Sequence, residues 1–80
     1  MPQAEKLRAQ RFTAVIQREG DGFVALSPEL DIVSEGNSID QARANLQEAL
    51  ELFLESASER EVEQRLRSEV YVTQLEVGVG

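Results

Sequence analysis

Two stretches of the chain alternate apolar and polar residues with a period of two, and one longer stretch repeats with the period of a helix. The first alternation is Phe12 to Gln17, with Phe12, Ala14 and Ile16 on one side and Thr13, Val15 and Gln17 on the other. Arg18 to Gly22 reads as a five-residue, glycine-bearing hairpin loop, and Phe23 to Ser27 as the return strand. With Gln17 opposite Phe23, the face carrying Phe12, Ala14, Ile16, Val24 and Leu26 is the predicted core face. The other face then exposes Val15, Phe23 and Ala25. It is too apolar for water, which makes these three the candidate oligomer face.

Pro28-Glu29-Leu30-Asp31 interrupts the ladder, because proline lacks the N–H that a central strand needs. Ile32 to Glu35 reads as a short third strand, and Gly36-Asn37 as the turn into a helix. That helix, Ser38 to Ala57, carries the clearest pattern. Ile39, Ala42, Leu46, Ala49, Leu50, Phe53, Leu54 and Ala57 fall within an arc of roughly 140°. Ser38 and Gln41 form a capping box, and Asp40 sits where the helix dipole favours an anion. Leu52 falls on the solvent side. Ser56 to Arg67 fits either a second short helix, Glu59 to Leu66, or an irregular crossover. The second alternation, Val70 to Val79, reads as a last strand, with Tyr71, Thr73, Leu75, Val77 and Val79 on one side.

The order is β-β-β-α-β in a single α+β domain spanning residues 1–80, with residues 1–11 as a flexible arm. The last strand pairs most simply with the first, in parallel, through a right-handed crossover. The sheet order is then 3-2-1-4, with the main helix on one face and the other face open.

Composition narrows the function. The 80 residues include no Cys and no His, so disulfides, thiolate metal sites and serine or cysteine triads are excluded. A domain of this size buries only about 60–65% of its unfolded surface, which favours stabilisation by a partner or a second copy. Eight basic against fifteen acidic residues leave a formal charge of −7, which disfavours nucleic acid and suits a basic protein. The glycines match no phosphate loop. No apolar run approaches a membrane span, and Met1 to Arg11 lacks a signal-peptide core, so a cytoplasmic protein is expected. Asp21, Glu29, Asp31 and Glu35 lie in loops or at strand ends. They offer oxygen ligands for Mg²⁺, but no spacing organises them around an octahedral ion, and solvated acids are the plainer reading. No cofactor is expected. Asp40, Glu48, Glu51 and Glu55 form a stripe within roughly 80° of the helix back. It is either a solvated face or the seat of a basic partner.

Several of these segments resemble one family in their order. Phe12-Thr13-Ala14-Val15-Ile16, Gly22-Phe23-Val24-Ala25-Leu26 and Pro28-Glu29-Leu30-Asp31 are similar to the start of HicB-type antitoxin domains. Ser34 to Ala42, Asn45 to Glu55 and Val72 to Val77 continue the resemblance over residues 12–79. The resemblance implies a truncated ribonuclease-H-like fold without the nuclease carboxylates. It implies a non-enzymatic module that neutralises HicA, a small basic toxin that cleaves mRNA with a histidine. Many such antitoxins also carry a C-terminal DNA-binding segment and act as oligomers. Here Gly80 follows the last expected strand, so a module without a DNA reader is expected, binding its toxin as a dimer or tetramer. Pro28-Glu29-Leu30-Asp31-Ile32 also lacks the Gly-Cys that follows proline in many members. The alternative expectation is a self-associating regulatory module of the same fold with no toxin.

Overall fold

A computed structural model describes residues 10–67 and 69–80. The expected arm over residues 1–11 lies, up to residue 9, outside the described residues. The elements are β1 (Val15–Glu19), β2 (Gly22–Ser27), β3 (Ile32–Gly36), α1 (Ile39–Ser56) and α2 (Glu59–Arg67). The α+β class is therefore observed, as a three-stranded antiparallel sheet of order β1-β2-β3 with two helices.

The hairpin differs from expectation by one residue of register, and the consequence is large. Glu19 pairs with Gly22, so the loop is the two-residue turn Gly20-Asp21 and not a five-residue one. Gly20 has φ +60°, and Asp21 has no positive φ, the pattern of a type II′ turn with glycine first. Ile16 then faces Ala25, and Val15 faces Leu26. Because side chains alternate with period two, a slip of one exchanges the two faces of β2. Phe23, Ala25 and Ser27 point under the helix, and Val24 and Leu26 do not. Ala25 is fully buried. Phe23 and Ala25 are thus core residues and not an oligomer face; of the three candidates only Val15 lies on the open side.

The core consists of Ala25, Leu30, Ala42, Leu46 and Leu50, with Phe12, Ile16, Phe23, Ile32, Phe53 and Leu66 packed around it. Leu30 is fully buried although it belongs to the β2–β3 loop, where Asp31 takes φ 55° to close the turn. Glu29 fixes this loop. Its carboxylate accepts from Thr13 N at 2.9 and 3.0 Å, from Thr13 Oγ1 at 2.6 Å and from Ser27 Oγ at 3.2 Å. The buried Ser27 hydroxyl is satisfied by that contact.

Helix α1 starts as its cap predicts: Gln41 N donates to Ser38 Oγ at 3.0 Å. Gln41 Oε1 accepts from Asn37 N, one residue before the cap, at 2.5 Å. The first turn lies very close to the end of β3. A Cβ on Gly36 would stand 2.5 Å from Ala42 N and 2.8 Å from the Gln41 carbonyl carbon. Asn45 Nδ2 donates to Glu35 O at 2.7 Å and ties the same helix flank to the strand.

The charged segment after α1 resolves as a helix. Glu61 N donates to Ser58 Oγ at 3.1 Å, with Glu59 and Glu61 in the first turn and Arg65 and Arg67 in the last, matching the dipole at both ends. Arg65 docks it: Nη1 donates to Leu30 O at 2.6 Å, and the guanidinium lies 5.0 Å from the Phe53 ring centroid.

The expected fourth strand is absent from the sheet. Residues 69–80 pair with no strand among the described residues, where the sheet has three strands with β1 and β3 at its edges and the order 3-2-1-4 is not formed. The alternation of Val70 to Val79 specifies an extended chain with two faces, and alternation alone does not name the strand it pairs with.

Candidate functional site

Asp40, Glu48, Glu51 and Glu55 are all exposed, along the side of α1 that points away from the sheet. The core contacts of Ala42, Leu46 and Leu50 set the rotation of the helix and thereby turn this row outward. No Lys or Arg lies within salt-bridge distance of the row among the described residues, where the one ion pair is Arg65–Glu61 at 3.8 Å. The nearest internal partner is neutral: Gln47 Nε2 donates to Glu51 Oε2 at 3.5 Å. The last turn of α1 contains no basic residue, so Glu51 and Glu55 repel one another and face the negative end of the dipole. The terms are each a few tenths of a kcal/mol. Leu52, exposed beside the row, adds an apolar contact point.

The loop acids have other roles. Glu29 is a structural acceptor. Burial pushes its carboxyl pKa up, but the hydrogen bonds from Thr13 Oγ1, Thr13 N, its own backbone N–H and Ser27 outweigh that and hold it below the ordinary glutamate range. Asp21 lies in the hairpin turn and Asp31 at the opposite end of β2. Among the described residues no three acidic side chains gather where a metal ion could sit.

A second feature was not legible in the sequence. Helix α1 lies chiefly over β3 and β2 and only marginally over β1. An open groove of about 840 Å³ runs between the helix and the β1 side, lined by Phe12, Ala14, Leu46, Leu50 and Leu54, with Arg43 among its polar residues. The open side of the sheet carries Val15, Gln17, Val24, Leu26 and the exposed Val33. No helix among the described residues is long and apolar enough to cross a membrane.

Comparison of the chain with protein-family models, with curated proteins and with solved structures gives no match.

Proposed function

We propose that this chain is a HicB-type antitoxin module that binds a small basic HicA-type toxin in the cytoplasm and blocks its access to mRNA. The observation that carries the reading is the exposed row Asp40, Glu48, Glu51 and Glu55, which has no Lys or Arg within salt-bridge distance among the described residues. Four carboxylates on a rigid helix, in a chain of formal charge −7, suit a cationic partner and speed its encounter. The β-β-β-α order and the segment resemblance over residues 12–79 support the same reading. The action is occlusion and not catalysis, and it calls for no cofactor. In the complete ribonuclease-H-like arrangement, a strand supplied by residues 70–79 lies beside β1 in the order 3-2-1-4.

The test is co-expression with the reading frame beside this gene. Rescue of growth and co-purification are the expected results. A neighbouring gene that encodes no small basic protein, or one whose product is not retained, defeats the proposal.

A further inference from the structure

The C-terminal segment, residues 69–80, has the alternation of a strand but belongs to no sheet among the described residues. Tyr71, Leu75 and Val79 are 81%, 86% and 98% exposed, and Val72 and Val77 are also largely in water. Five residues of one parity, Tyr71, Thr73, Leu75, Val77 and Val79, form a continuous, mostly apolar edge of the kind that is buried in folded sheets. The same molecule holds a matching vacancy. Among the described residues, the outer edge of β1 presents N–H and C=O groups that no strand pairs with. Where the chain leads into that edge, at Phe12 to Ala14, it borders the groove that Leu50 and Leu54 bound from the helix. A strand laid along β1 satisfies the edge, and its inward side chains enter this groove.

We propose that the occupant is the 70–79 segment of a second copy, exchanged reciprocally so that each chain donates its tail and receives its partner's. The chain carries both the donor strand and the acceptor edge, and leaves both unused. Two copies related by a twofold axis use all four and close, with no β1 edge left for further growth. Length permits it: the twelve residues from 69 to 80 span about 40 Å when extended, against about 26 Å for the eight residues from Phe12 to Glu19. The exchanged sheet has the order 3-2-1-4′, the fourth strand coming from the partner. The inference rests on the groove, the edge and the tail, and not on the toxin; Glu51 and Glu55 of the acidic row also line the rim of this groove.

The absence of cysteine from the sequence allows a direct test. Gln74 shares a tail face with Val72 and Glu76, opposite the groove-facing side, so it meets the β1 face that carries Val15, Gln17 and Glu19. Three double variants combine Gln74→Cys with Val15→Cys, Gln17→Cys or Glu19→Cys in the full chain. Neighbouring strands place such pairs within disulfide reach. The expected result is a disulfide between chains in at least one variant, seen as a dimer on a non-reducing gel. Sedimentation of the unmodified chain then gives a mass twice its 8.9 kDa. Leu75→Asp, exposed in the single chain, is expected to keep the helical circular dichroism of the folded domain, to sediment as a monomer and to melt below the dimeric parent. A disulfide within one chain in these variants overturns the proposal, because the tail then folds onto its own β1. No cross-link between chains in any variant, or a dimer that survives Leu75→Asp, overturns it equally.

Discussion

Gly36→Ala tests the packing that sets the orientation of α1, and with it the direction of the acidic row. The added Cβ would stand 2.5 Å from Ala42 N, 2.8 Å from the Gln41 carbonyl carbon and 2.9 Å from Ala42 Cα, all backbone atoms. Ordinary contact begins near 3.4 Å, so the closest atom must retreat by about 0.9 Å. No side chain can rotate away to relieve this. The helix start is held by the Ser38 cap, by Gln41 to Asn37 and by Asn45 to Glu35. Overpacking of this kind costs about 1–3 kcal/mol, and backbone neighbours place it in the upper half of that range. Alanine returns about 0.4–1 kcal/mol by restricting the unfolded chain. The net loss is about 1–2.5 kcal/mol, or a fall in Tm of roughly 5–15 °C for a domain of this size. Thermal and urea unfolding followed by circular dichroism measure it. Gly78→Ala, with open space around the added carbon, is the control and is expected to be neutral. A Gly36→Ala melt within about 2 °C of the parent would refute the close-approach argument.

Three other perturbations have defined outcomes. Leu46→Ala removes a side chain that is almost fully buried between α1 and the sheet, and should cost about 2–5 kcal/mol by urea denaturation. Arg65→Ala removes the hydrogen bond to Leu30 O and the stacking on Phe53, and a nine-residue helix is marginal alone. Faster amide exchange across residues 59–67 is the expected signature, and Arg65→Lys should restore protection only partly. Glu29 has a folded pKa below its unfolded value of about 4.3, so its stabilisation is present above that pH and is lost as pH falls through the folded value. Glu29→Gln should therefore lower the urea midpoint at neutral pH, and the gap from the parent should narrow below about pH 4. A gap that widens in acid would show that Glu29 is not the group responsible.

The helix was legible because its signals are local. The Ser38 cap and the three- and four-residue spacing of Ala42, Leu46, Leu50 and Phe53 lie within one element and need no distant partner. The hairpin was legible as a pair of strands, but its register depends on which residues turn. Arg18-Glu19-Gly20-Asp21-Gly22 accommodates more than one loop, and the choice of Gly20-Asp21 moved Phe23 and Ala25 from the surface to the core. Glu29 read as a loop acid because its partner Thr13 lies sixteen residues away, outside any local window. The last strand was visible in its alternation, whereas its absence from the sheet was not, since a strand's neighbour is a property of the tertiary fold. The acidic row was readable as a stripe from Asp40 to Glu55. Its exposure, and the lack of a salt-bridged cation beside it among the described residues, emerged only with the packing of α1.

The most direct test of the central claim is a calorimetric titration of the chain with the product of the neighbouring reading frame, at low and raised salt. The expected result is saturable binding that weakens as salt screens the contact. Glu48→Lys with Glu51→Lys should weaken it by at least about tenfold, which corresponds to about 1.4 kcal/mol, while leaving the melt unchanged. No binding heat at any salt concentration, or binding indifferent to the double charge reversal, would contradict the assignment of this helix face as an antitoxin surface.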